Sequence, residues 1–218
     1  MISSVLQMST PNLFAIGDSH CIFYIDSPAI HHHWVGWGGM PVTMYTFVES
    51  GLPLYNIVER LPPGDICTLN IREGDYVLFS YGWNDVQKNI HTYSNGDYKH
   101  VIDTMVTQYI QTLRTYSDGT RFRIRPIVNC VYPIPLSVND AMRGSEEERI
   151  AYTRYMNERL RVACAEHTIP FFDIYDLLSE QDKLRSEYAD NDLTHLNRTH
   201  TGLRAILEEK LTAICQTY

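Results

Sequence analysis

Basic runs, paired cysteines, long apolar stretches and a G-x-S-x-G motif are all missing from this 218-residue chain. Its 18 Lys and Arg stand against 26 Asp and Glu, a net charge of −8, and nowhere do they cluster. A nucleic-acid partner needs a basic footprint to neutralise phosphates, so none is expected. The five cysteines (Cys21, Cys67, Cys130, Cys164 and Cys215) are odd in number and scattered. That argues against a disulfide framework and a structural zinc site, and for reduced thiols. The opening residues MISSVLQMSTPNLF hold no Lys or Arg and no long apolar core. Neither a signal peptide nor a membrane anchor is expected, and the protein reads as intracellular, with no membrane partner.

What is present suits one folded domain over residues 1–218, with 44% apolar and 20% charged residues. Short apolar runs at 13–17 (LFAIG), 76–82 (YVLFSYG), 122–132 (FRIRPIVNCVY) and 169–175 (IPFFDIY) read as buried strands. Between them lie helical patterns. Val101, Ile102, Met105, Val106, Tyr109 and Leu113 recur at spacings of three and four over 97–116. Over 143–167, Ser145 followed by Glu148 makes a capping signature, with Ile150, Met156, Leu160 and Cys164 on one face. Leu203, Ile206, Leu207 and Ile214 mark a terminal helix after Gly202. Strands alternating with helices predict an α/β fold, a three-layer α/β/α sandwich with a mostly parallel sheet. Segments 31–56, 86–96, 133–144 and 176–194 lack a clear period and are expected as crevice walls.

In such sheets ligands sit at the carboxyl ends of the strands. Two unusual segments fall there, Gly17-Asp18-Ser19-His20 and Gly82-Trp83-Asn84-Asp85. Each alone could be an ordinary turn. The far end of the chain adds Asp192-Leu193-Thr194-His195, a carboxylate and an imidazole three residues apart in a loop before a helix. Acyl transfer by serine needs a hydroxyl on a tight turn, a base, an orienter for the base and oxyanion donors. Ser19, His195 and Asp192 would fill the first three roles. The amide of Ser19, the side-chain amide of Asn84 and a glycine from WGGM would form the oxyanion hole. His200 and Asp190 compete for the roles of base and orienter at less favourable spacing.

These residues resemble the SGNH hydrolases, the superfamily of GDSL-type esterases and lipases, from about Leu13 to about Ile214. Gly17-Asp18-Ser19 is similar to the first family block, with His20 where Leu or Ile is commoner, as in a GDSH variant. Gly82-Trp83-Asn84-Asp85 resembles the third block and Asp192-Leu193-Thr194-His195 the fifth. The second block is a single glycine, here Gly39, with Gly38 and Gly36 as alternatives. The resemblance implies a flavodoxin-like fold, Ser19 as nucleophile, His195 as base, Asp192 as its orienter, oxyanion donors from Ser19, Gly39 and Asn84, and no metal or cofactor. The expected reaction is hydrolysis of short acyl esters such as acetyl, on carbohydrate or a similar small polar molecule. An O-acyltransferase with the same triad, or a glycan- or lipid-binding module without turnover, are the alternatives.

Three further features have simpler readings. His31-His32-His33 would alternate sides in an extended segment, which suits a strand or loop better than one metal ion. Cys21, two residues from Ser19, reads as a buried helix position. Trp34, Trp37, Tyr81, Trp83, Tyr93 and Tyr132 fall near strand ends or crevice loops, where they would stack on a sugar, line an acyl pocket or pack the core.

Overall fold

Leu13–Gly17 is buried at every position and forms β1, at the centre of a six-stranded sheet. The computed structural model describes residues 11–20, 31–37, 40–48, 54, 71–118 and 123–217. The other strands are β2 (His31–Trp37), β3 (Met40–Val48), β4 (Tyr76–Ser80), β5 (Arg125–Asn129) and β6 (Phe171–Phe172), in the order β2-β3-β1-β4-β5-β6. β3, β1, β4, β5 and β6 run parallel, and β2 pairs antiparallel with β3 at the edge. A strand buried on both faces reads as a continuous apolar run rather than an alternation, which is why LFAIG and YVLFS were legible.

Among the described residues three long helices accompany the sheet: α1 (Tyr98–Ser117), α2 (Glu146–Glu166) and α3 (Thr201–Thr217). Asp97 caps α1 by accepting the amide of His100 at 3.1 Å, and Ile102, Met105, Val106, Tyr109 and Leu113 are buried as their spacing predicts. At α2, Ser145 and Glu148 form the reciprocal cap. Its buried face departs from expectation, since Ile150 is only half-buried while the polar Arg149, Thr153 and Asn157 are buried. The reason for Asn157 is a long-range pairing. Its side chain accepts the Val131 amide at 2.7 Å and donates to the Val131 carbonyl at 2.8 Å, pairing the chain as it leaves β5. From α3, the Cys215 carbonyl accepts the Tyr76 hydroxyl at 2.7 Å, fastening the last helix to β4.

Four expectations change. Residues 31–56 are not simply a crevice wall, because β2 and β3 lie there and extend the sheet; β3 carries Val42, Thr43, Tyr45, Thr46, Phe47 and Val48, residue types that suit a pleated surface. Residues 86–96 coil instead into a π-helical turn (Asp85–Asn89) and a short helix (Ile90–Tyr93). The run at 169–175 shrinks to the two residues of β6 before Asp173 turns the chain. Within 176–194, Ser179–Glu180 and Lys183–Leu184 make a small hairpin. Cys21, expected at a buried helix position, and Cys67 lie outside the described residues, whereas Cys130, Cys164 and Cys215 are free and buried. Among the described residues no helix is long and apolar enough to cross a membrane.

Candidate active site

In register, Gly17 faces Ser80 across the β1–β4 pair, and the chain leaves both strands at the same end of the sheet. The two backbones meet so closely that a Cβ on Gly17 would lie 2.1 Å from the Ser80 carbonyl oxygen. That oxygen accepts the Asp18 amide at 3.0 Å, turning the chain so that Ser19 stands at the rim. Below, Asn129 at the end of β5 donates to the Ser80 and Tyr132 hydroxyls, each at 3.0 Å, tying the neighbouring strand ends together.

Asp18 is buried and accepts the His20 amide at 3.0 Å. Burial pushes its carboxyl up to about 7; the amides of His20, Trp83 and Asn84 oppose this, while the charge of Asp85 adds to it. Asp18 thus gathers backbone groups from both turns, the one carrying Ser19 and the one carrying Asn84. The second turn requires Gly82, whose φ of 108° is in the left-handed region and whose Cβ would lie 2.8 Å from Val131. Asn84 follows, 4% exposed, and among the described residues its Nδ2 has no hydrogen-bond partner. Its Oδ1 accepts from Lys88 Nζ at 3.0 Å, which fixes the amide and leaves the NH₂ as the free end. Lys88 was missed in the sequence; its i,i+4 spacing from Asn84 was the available signal.

The imidazole expected as base arrives from the other side. His195 Nε2 lies 3.0 Å from Ser19 Oγ, and its Nδ1 lies 2.5 Å from Asp192 Oδ2. Asp192 Oδ1 accepts the amides of Thr194 at 2.8 Å and His195 at 2.9 Å, so one carboxylate shapes the loop and holds the ring. Leu193 pays for that tightness with a φ of 56°, left-handed for a non-glycine residue. Partial burial works against the Asp192 charge, but the amides and the imidazole prevail and hold its carboxyl down at about 2.

The rivals are engaged elsewhere. His200 Nδ1 accepts the Leu203 amide at 2.9 Å at the start of α3, and Asp190 Oδ1 accepts the Asn191 amide at 2.8 Å. Gly39 and Gly38 lie outside the described residues, while Gly36 lies in β2 where its pairing with β3 shifts register. His31–His33 open β2, and among the described residues no cluster of three His, Cys, Asp or Glu could hold a metal. Tyr81, Trp83 and Tyr132 are buried in the hydrophobic core and are not open platforms; Tyr93 is exposed. A hydroxyl bonded to an imidazole whose other nitrogen is held by a carboxylate can lose its proton as it attacks, and a fixed buried amide nearby can receive an oxyanion.

The chain matches the GDSL-like Lipase/Acylhydrolase family over residues 15–199. Among solved structures it resembles a lipase from a goat rumen metagenome, with 18% identity, a TM-score of 0.63 and coverage of 94% of this chain and 97% of that one. A GDSL-like lipase from Bacteroides thetaiotaomicron is similar at 15% identity and a TM-score of 0.59, covering 93% and 87%. A psychrotrophic esterase from a Pseudoalteromonas species, inhibited by monoethylphosphonate, is similar at 13% identity and a TM-score of 0.54, covering 93% and 94%. At these identities the likeness is one of fold. No curated protein matches the chain.

Proposed function

The chain belongs to the GDSL-like lipase/acylhydrolase family, enzymes that cleave ester bonds, and from that premise we propose that it is a serine esterase acting through Ser19, His195 and Asp192. The observation that carries this reading is the unbroken chain of contacts from Asp192 Oδ2 through the His195 ring to Ser19 Oγ, at 2.5 and 3.0 Å. Ser19 Oγ attacks the ester carbonyl while His195 Nε2 takes its proton, and Asp192 steadies the imidazolium. The developing oxyanion is received by the Ser19 amide, Asn84 Nδ2 and a glycine amide from 38–39, with Gly39 the first choice. His195 then returns the proton to the departing alcohol, and water, deprotonated by the same ring, releases the acyl group.

The substrate we favour is a short acyl ester, such as an acetyl group, on a carbohydrate or similar polar molecule. The acidic chain and the absence of a basic run suit a neutral or polar small molecule better than a polyanion.

Intact mass after treatment with a small fluorophosphonate tests the reaction class. A single adduct on the wild type, absent from Ser19→Ala and slowed in His195→Ala, is expected. A folded wild type that takes no adduct would leave a binding module on this fold. Rates on p-nitrophenyl esters of increasing chain length then test the acyl preference, with acetate expected to lead. Adding a sugar acceptor separates hydrolysis from transfer to a hydroxyl, since only transfer yields a new sugar ester.

A further inference from the structure

His20, next to the proposed nucleophile, is 4% exposed, and among the described residues neither of its ring nitrogens has a hydrogen-bond partner. Burying two unpaired nitrogens costs free energy that a leucine of similar size would not incur, so a polar ring here calls for an explanation. Its surroundings supply one. The ring lies between two others, with its centroid 4.3 Å from Trp83 at 40° and 4.7 Å from His195 at 31°, while Tyr132 meets it edge-on at 5.5 Å and 86°. Its own amide is bonded to Asp18, which anchors the backbone beneath the ring. His20 therefore links the base to the residue that precedes Asn84.

The groups whose charge His20 feels come from three segments. His195 and Asp192 face it from the base loop and Lys88 from the π-helical turn, while Asp18 adjoins it in the chain. Burial first, and then repulsion from His195 and from Lys88, hold its ionisation well below the ordinary histidine range; Asp192 opposes them and is outweighed. The ring stays neutral while its neighbour cycles between neutral and charged forms.

We propose, resting on the reading of His195 as base, that His20 is a positioning residue for it: a neutral ring stacked on His195 that holds the imidazole within reach of Ser19 and steadies the imidazolium formed during acyl transfer. In that step the Ser19 O–H bond breaks, the Oγ–carbonyl bond forms, and the proton resides on His195 Nε2 until the alcohol takes it. His20 neither gains nor loses a proton. Its π face offers the charged ring an attraction that an aliphatic side chain lacks.

The test compares wild type, His20→Leu and His20→Phe by melting temperature, fluorophosphonate labelling, and kcat and KM on p-nitrophenyl acetate from pH 5 to 9. His20→Leu should lower kcat about 10-fold or more with KM little changed, because the base is no longer held. It should also move the acidic limb of kcat/KM about half a pH unit lower, because the imidazolium has lost a stabilising face. His20→Phe should restore most of both. Leucine kinetics equal to wild type would overturn the proposal, as would a phenylalanine variant as impaired as leucine, which would point to a hydrogen bond from the ring. Independently of any variant, an NMR titration of the wild type in which the His20 ring protonates near pH 6 would overturn it. Absence of an adduct on wild-type Ser19 would instead defeat the esterase reading itself.

Discussion

The two halves of the site are built on opposite principles. Asp18, Ser19 and Asn84 are set by strand ends and buried contacts: Gly17 against Ser80, Asp18 beneath both turns, Asn84 held by Lys88. Asp192 and His195 belong to a surface loop shaped by short-range hydrogen bonds and moored where the Leu193 carbonyl accepts the Leu136 amide at 3.0 Å and the Asp192 carbonyl accepts the Ser137 hydroxyl at 3.2 Å, with the Asp192 side chain half exposed. The proposed nucleophile and oxyanion side thus depends on the core, while the proposed acid–base side depends largely on turn chemistry. Damage to the scaffold of the first, at Gly17 or Asp18, should appear mainly as lost stability, and damage to the second mainly as lost turnover.

The largest effect that separates the halves is expected from Asp192→Asn. The amide still accepts the loop amides through one oxygen but turns an NH₂ toward His195 Nδ1, favouring the wrong tautomer. kcat should fall about 1,000-fold with the melting temperature nearly unchanged. A large melting shift would mean that the loop, too, depends on the fold around it.

Asp18→Asn should act in the opposite way, on the pH dependence of stability. A carboxyl raised to about 7 in the fold from its ordinary 3.8 binds its proton more tightly in the native state than in the unfolded chain. Stability from this group is therefore greatest at acid pH and declines as pH rises from about 4 to about 7, by at most about 1.4 kcal/mol per pH unit. Asn keeps an acceptor for the His20 amide and removes the titration. Urea denaturation at pH 5 and pH 8 should show a smaller loss in the variant than in the wild type; equal losses would break the assignment.

Next in size is Gly17→Ala, where the new methyl meets the Ser80 carbonyl head-on. A loss of about 3 kcal/mol or more is expected in denaturant unfolding, because two paired backbones cannot separate without breaking the sheet. The smallest effect sharpens the loop side. Leu193→Gly relieves the left-handed strain at φ 56° but frees the unfolded chain, so stability should change by no more than about 1 kcal/mol. Turnover should stay within a few-fold of wild type if the Asp192 hydrogen bonds and the anchors from Leu136 and Ser137 keep the loop in place.

Sequence by itself determined the features whose physics is local or periodic. Buried parallel strands are continuous apolar runs, so β1 and β4 were legible, as was the stripe of α1, which is a repeat of three and four. The cap of α2 is a two-residue signature, and the Asp192–His195 contact spans three residues, within reach of one turn. Only tertiary structure decided the rest. β2 and β3 escaped notice because an edge pair is defined by its partners. Asn157 is buried on α2 because it pairs the backbone of Val131, 26 residues away. The contact of His195 with Ser19 closes a separation of 176 residues, and the stack of His20 between Trp83 and His195 joins three segments. A sequence carries no signal for such distances beyond the residue types themselves; long-range contacts exist once the sheet has brought its strand ends into register.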